Sequence, residues 1–302
     1  MIKIETLGVS GFVGAILGAR NAMKSRGASD SVFEGPGVGS GIIGEKDLEL
    51  CQKLIATGRD DEAKFMRMIH VQCDIFAPLY WWKEMDTYKV ATVANSESTM
   101  HTIHCSKLGL ADFSHEMVLD DYTLDDQEWD PQTYLTPMEV QIDTIDMLNH
   151  TRDLYLEARK AKDGKKAHSY WYNMIQMLPS SYMQLRTWDA NYQTIRNIYF
   201  ARKGHKLKEW YDFREWVMSL PYAEELIAYE PEKEIPGFDL EAFYQKRKVL
   251  RERGLTDVDI AKEFCLSTPY YRTLSNASTQ AHKEKEHERI ADNTNSRQEP
   301  NG

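Results

Sequence analysis

The chain has 302 residues, enough for one large domain or one domain with a small appendage, and enough to bury a sizeable core without disulfides. Lysine and arginine number 37 against 47 acidic residues; the net charge of −10 excludes a general polyanion binder but not a local basic module. No apolar run reaches membrane-spanning length, no signal-peptide pattern opens the chain, and the four cysteines are scattered without a C-x-x-C pair, so a cytoplasmic protein with reduced thiols and no membrane partner is expected.

Residues 1–45 are glycine-rich and weakly patterned, and Gly35–Gly41 reads as a flexible loop. Lys46 to Thr57 places Leu48, Cys51, Leu54 and Ile55 on one helical face, and Gly58 stops it. Within Lys64 to Ala77, Ile69, Val71, Cys73 and Ile75 alternate with polar residues, which predicts a half-buried strand ended by Pro78. The Asp-rich stretch 119–130 reads as a solvated loop. Thr136 to Lys160 predicts a long amphipathic helix through Met138, Ile142, Ile145 and Leu148. Further helices are expected at about 168–178, 189–202 and 205–219. Residues 230–237 resemble a linker, and a helical module from Asp239 to about Ala281 precedes a disordered polar tail.

Gly39-Ser40-Gly41-Ile42-Ile43-Gly44 is a literal G-x-G-x-x-G, but the segment before it is short and broken by Pro36, so a plain loop is the stronger reading. His101 and His104 have a spacing that suits zinc, yet no H-E-x-x-H and no further ligand cluster accompany them, and no metal is expected. No G-x-S-x-G elbow appears, which argues against acyl-transfer hydrolysis. The densest chemistry lies in residues 78–101, where Trp81 and Trp82 precede Tyr88, Lys89 and a run of Ser, Thr and Asn. That mixture suits either a nucleotide or flavin pocket, or a core helix followed by a polar loop.

The blocks from Gly58 to Phe65, through Ala77-Pro78, to Asn95-Ser96-Glu97-Ser98 resemble the flavin-dependent thymidylate synthases, and more closely their phage-encoded relatives. That family carries a signature R-H-R-x-x-S-x-N-E-x-S-x-R-Y after an A-P-I strand end. Leu178-Pro179 and the run Asn191 to Arg202 resemble the family's later L-P … N-x-R-x-x-x-N/H-x-x-x-x-R helix, and Lys206 to Trp210 stands where the family has A-Q-W-E-I. The order and spacing agree over about residues 10–222. The resemblance implies an α+β fold, an antiparallel sheet packed with helices, in a homotetramer with shared sites. It implies FAD, NADPH, methylene-tetrahydrofolate and a dUMP-like pyrimidine deoxynucleotide, with one-carbon transfer to C5 of the pyrimidine. It assigns Asn191, Asn197, Asn95, Thr92, Tyr88 and Lys89 to cofactor binding. Arg202 is given the uracil edge and Ser98 a place in the catalytic signature.

The chain departs from the family at several points. R-H-R is Thr87-Tyr88-Lys89, one residue is inserted between Thr92 and Asn95, and the signature's last arginine falls on Met100. The arginine before L-P falls on Ile175 and that of N-x-R on Gln193, so several charge-assisted contacts to phosphate are lost; Arg20, Lys24 and Arg26 are candidate replacements.

Residues 246–274 resemble a helix-turn-helix. Lys246 to Arg253 holds five positive charges and one negative, and 244–276 carries net +3. Thr256 is placed to cap the first helix and Ser267 the second, with Ile260, Ala261, Phe264, Leu266, Tyr271 and Leu274 as the packing positions. The expected organisation is therefore a domain at 1–232, a helix-turn-helix module at 233–281 that contacts DNA or protein, and a tail at 282–302. The expected function is flavin-linked C5 alkylation of a pyrimidine nucleotide. The rival is a non-catalytic DNA-binding or structural protein that retains the fold.

Overall fold

In the computed structural model, the unpatterned amino-terminal residues form a strand, β1 (Lys3–Ser10), and a helix, α1 (Phe12–Ala19). Gly11 makes the turn between them at φ 96°, where a Cβ would stand 1.9 Å from the Met68 carbonyl oxygen, so only glycine fits. Two short paired strands follow, β2 (Val32–Phe33) and β3 (Gly41–Ile42), then α2 (Glu45–Ala56), a 3₁₀ turn at Ala63–Met68, and β4 (His70–Pro78). The chain continues through α3 (Leu79–Met85), β5 (Thr92–Ser96), α4 (Thr99–Thr102), α5 (Pro137–Lys160) and α6 (Gly164–Met177). It then forms β6 (Met183–Asn191), α7 (Tyr192–Ala201), α8 (Glu209–Met218), α9 (Leu240–Glu252) and α10 (Asp257–Glu263). The structure describes residues 2–33, 41–119, 135–231 and 239–264, with 275, 278, 279 and 282. Residues 232–237 of the linker expected at 230–237, most of the glycine loop and acidic stretch, the turn and second helix expected at 265–274, and the tail after residue 282 lie outside the described residues.

The four long strands make one antiparallel sheet in the order β1-β4-β6-β5, packed with helices as expected. On β4 the alternation holds: Val71, Cys73, Ile75 and Ala77 are fully buried on the inner face. They meet Trp188 and Ala190 of β6, Phe12 and Ile16 of α1, Cys51 and Ile55 of α2, and Trp81 and Trp82 of α3 in one core. Ile195 and Ile198 of α7, with Trp210, Phe213 and Val217 of α8, complete it. A second cluster holds the α5–α6 hairpin, where Ile145, Leu148, Tyr155 and Met174 pack with Ile103, Phe113 and Tyr182. On α5, Ile142 is exposed and Tyr155 and Ala158 extend the buried face instead.

The helix expected at 189–202 is corrected. Its first residues end β6, and the helix starts only at Tyr192, after Asn191 has capped it. The strand escapes a hydrophobic reading because its inner face carries Gln184, Arg186 and the small Ala190 beside Trp188. The pair of tryptophans is core: Trp81 and Trp82 are buried, and the indole of Trp82 donates to the Gln184 carbonyl at 3.1 Å. The polar run after them is not a loop but the edge strand β5.

The chain divides into two compact units, Met1–Glu230 and Pro231–Gly302. In the second, Phe243 and Leu250 of α9 pack with Ile260 and Ala261 of α10. Thr256 caps α10 in a reciprocal capping box with Asp259. Among the described residues no helix is long and apolar enough to cross a membrane.

Candidate functional site

The end of α3 builds the site. Trp82 and Met85 point inward from the helix, Asp86 closes it, and the chain turns through Thr87 to Ala91, which takes a left-handed conformation at φ 55°. The Thr92 hydroxyl donates to the Tyr88 carbonyl at 2.8 Å and fastens this turn to the start of β5. Between the turn and the inner face of the sheet lies a cavity of about 320 Å³, lined by Trp82, Met85, Asp86, Tyr88, Lys89, Thr92, Ala94 and Trp188. That size falls at the low end of small-molecule sites, which run from roughly 300 to 1,000 Å³. Three of the predicted site residues, Tyr88, Lys89 and Thr92, thus share one cavity. Lys89 is the cation of its lining. Asp86 accepts a hydrogen bond at 2.8 Å from Arg186, whose guanidinium lies 4.3 Å over the Trp82 ring.

Arg202, at the far end of α7, touches Tyr88 without itself lining the cavity. Its Nε donates to the Tyr88 hydroxyl at 2.7 Å and its Nη1 to Glu84 Oε2 at 2.7 Å, while the guanidinium lies 4.3 Å over the Trp210 ring. The same Glu84 oxygen accepts from the Trp210 indole at 2.8 Å and faces His205 Nε2 at 3.3 Å. Two sequence blocks 114 residues apart therefore meet at Tyr88. Glu84 carried no signal in the sequence, because nothing in its neighbourhood points to an arginine so far along the chain.

The other predicted residues are elsewhere. Asn191 is 3% exposed, and its carboxamide oxygen accepts from Thr194 N at 2.9 Å as the cap of α7. Asn197 is exposed and accepts from Gln193 Nε2 at 3.2 Å. Asn95 pairs with Thr187, on the face of β5 opposite Thr92 and Ala94. Ser98 stands just before α4, and its hydroxyl shares a 2.8 Å hydrogen bond with His101 Nδ1 rather than capping the helix.

The suggested replacement cations are also accounted for. Arg20 is buried against Asp47, which holds Ser29 and Ser31 as well, Arg26 donates to Asn21 at 2.7 Å, and Lys24 is exposed; none of the three lines the cavity. Of the G-x-G-x-x-G segment, Gly39 and Ser40 lie outside the described residues; Gly41-Ile42 pairs with Val32–Phe33 and Gly44 precedes α2, with no βαβ unit around them among the described residues. His104 packs against Tyr155 at 4.8 Å, and among the described residues no group of three or more His, Cys, Asp or Glu side chains is arranged to hold a metal ion.

No protein-family model matches the chain, and no curated protein matches it. Solved structures do. The flavin-dependent thymidylate synthase of Helicobacter pylori, complexed with FAD and dUMP, is 16% identical over 74% of this chain and 97% of that chain, with a TM-score of 0.50. A second structure of the Helicobacter pylori enzyme, with FAD and dUMP, is 14% identical over 75% of this chain and 97% of its own, with a TM-score of 0.49. A UMP/dUMP methylase from Streptomyces cacaoi, bound with 5-Br dUMP, is 12% identical over 76% of this chain and 96% of its own, with a TM-score of 0.47. At such identities the likeness is one of fold: the first unit is an antiparallel sheet wrapped by helices in the manner of the flavin-dependent thymidylate synthases.

Proposed function

We propose that this chain binds FAD and a pyrimidine deoxynucleotide at the cavity beside Tyr88, and that it catalyses a flavin-linked one-carbon transfer to C5 of the pyrimidine. The observation that carries the reading is the meeting of Tyr88 and Arg202: residues of two separate signature blocks join at 2.7 Å, and Tyr88 lines the cavity together with Lys89 and Thr92. The fold shared with an enzyme complexed with FAD and dUMP supports it.

The residues present fit a flat heterocycle. Tyr88, Trp82 and Trp188 supply ring surface, Thr92 a neutral hydroxyl and Lys89 a charge for phosphate. Bound FAD, reduced by NADPH, would supply the electrons, with carbon from methylene-tetrahydrofolate, while the pyrimidine loses its C5 proton. The protein's part is to position and polarise. Arg202 presents a planar fork fixed in place by Glu84, Tyr88 and Trp210, and its Nη2 has no partner among the described residues, leaving donors for a carbonyl–imide edge. A homotetramer with shared sites belongs to this reading, since one chain offers few cations for the FAD diphosphate.

The test is a reaction of full-length protein with FAD, NADPH, methylene-tetrahydrofolate and dUMP, read by mass spectrometry of the nucleotide. A product heavier by a methylene unit is expected. A protein that binds FAD and dUMP yet leaves the nucleotide unchanged favours the second reading, a non-catalytic DNA-binding or structural protein. The engagement of Arg202 by Glu84 and the use of Asn191 as a helix cap speak for that alternative. Its DNA contacts would come from the exposed Lys246, Lys248 and Arg251 of α9 and from Arg272, which lies outside the described residues, within the 246–274 segment.

A further inference from the structure

A second cavity, about 540 Å³ and larger than the one at Tyr88, lies where the start of α8 meets the segment 114–118. Met117, Val118 and Leu207 give it carbon walls, and Tyr80, Glu209 and Asp212 converge on it. A mostly apolar hollow with a few converging polar groups is the usual form of a small-molecule site.

The polar groups are arranged to accept. Glu209 is 8% exposed and accepts a hydrogen bond from the Tyr80 hydroxyl on its Oε1, and the same phenol oxygen lies 3.0 Å from Ser114 Oγ. Burial, and then the Glu209 carboxylate, push the Tyr80 phenol up to about 12, so its proton stays committed to Glu209. Asp212 accepts Lys208 Nζ at 2.7 Å on Oδ1, while its Oδ2 is buried with no hydrogen-bond partner. A buried carboxylate oxygen left unpaired is costly unless a donor meets it. Glu209 and Asp212 both stand in the first turn of α8, where acidic side chains complement the positive end of the helix dipole. Of the lysines on the lining, Lys208 is spent on Asp212 and Lys206 is exposed, and Glu116 adds a third carboxylate. An anionic ligand would face three carboxylates.

We propose that this cavity is a second ligand site, separate from the one at Tyr88, and that it takes a small planar molecule whose edge carries cationic N–H donors, an amidine or protonated aminoheterocycle seated on Glu209 and Asp212. The proposal does not depend on the function assigned to the Tyr88 cavity.

Benzamidine is the probe, with benzamide as its neutral isostere, titrated calorimetrically into the full-length protein. Benzamidine is expected to bind at least about tenfold more tightly than benzamide, because only the cation makes charge-assisted bonds to both carboxylates. Glu209→Gln and Asp212→Asn should each weaken benzamidine by about tenfold, while Lys89→Ala, at the other cavity, should leave it unchanged. Equal affinity for the two probes, no binding of benzamidine, or full affinity in a folded Glu209→Gln protein would overturn the assignment. The comparison of the two probes needs no substitution, so it decides even if a variant fails to fold.

Discussion

Arg202 draws on three partners at once, the Tyr88 hydroxyl, the Glu84 carboxylate and the Trp210 ring, with its side chain 15% exposed. A lysine keeps the charge and loses the fork. Arg202→Lys is therefore expected to weaken dUMP binding by about 1–3 kcal/mol and to cost about 1 kcal/mol of stability, since Glu84 is left with a poorer partner. Calorimetry and urea unfolding measure the two effects separately; lost stability with unchanged dUMP affinity would make the residue structural alone. Asp47 is the plainer structural case, fully buried with Arg20, Ser29 and Ser31 around it. Burial pushes its carboxyl up, but the hydrogen bonds from Ser29, Ser31 and Arg20 and the Arg20 charge together leave it below the ordinary value. A carboxylate lowered by folding contributes stability that is whole above the unfolded value, about 3.9, and is lost as pH falls through the folded one. Unfolding midpoints should thus drop on acidification below about pH 4, and Asp47→Asn should flatten that drop while costing about 3–5 kcal/mol at neutral pH, because Arg20 is left buried and unpaired.

At the scale of elements, what was legible followed the apolar period. β4 shows alternation because its odd positions from Val71 to Ala77 are all buried and its even ones mostly polar. α5 announces itself through the Thr136 capping box and Pro137, and α10 through Thr256. β1 gave no signal, since most of its residues are exposed at the sheet edge, and β6 hid behind Gln184 and Arg186 on its inner face. The site was legible in part for the same reason. Tyr88, Lys89 and Thr92 are close in sequence and remain close in space, whereas Asn191 serves the local need of a helix start and Asn95 follows the pleat to the other face. Two substitutions test these elements. Gly11→Ala must either move the Met68 carbonyl or unwind the φ 96° turn, so a loss of about 2 kcal/mol or more is expected in chemical unfolding. Thr256→Ala removes the α10 cap and should cost about 1 kcal/mol, seen as a lower melting temperature of the 231–302 unit.

The molecule as a whole has two parts to which different chemistry is assigned, Met1–Glu230 with the cavity at Tyr88 and Pro231–Gly302 with the basic α9. Truncation after Glu230 is expected to leave flavin and nucleotide binding intact and to remove any affinity for duplex DNA. In the full-length protein that affinity should fall steeply with salt, as counterion release requires. Indifference of the full-length protein to DNA at low salt would instead make the second unit an assembly or protein-contact element. The central claim, that the Tyr88 cavity holds a flavin, is tested most directly by the absorption spectrum of the full-length protein titrated with FAD at low salt, beside Lys89→Ala. A perturbed flavin spectrum that saturates at one FAD per chain, with affinity reduced by about tenfold in Lys89→Ala, is the predicted result. A protein that stays colourless and leaves the spectrum of added FAD unchanged would contradict it.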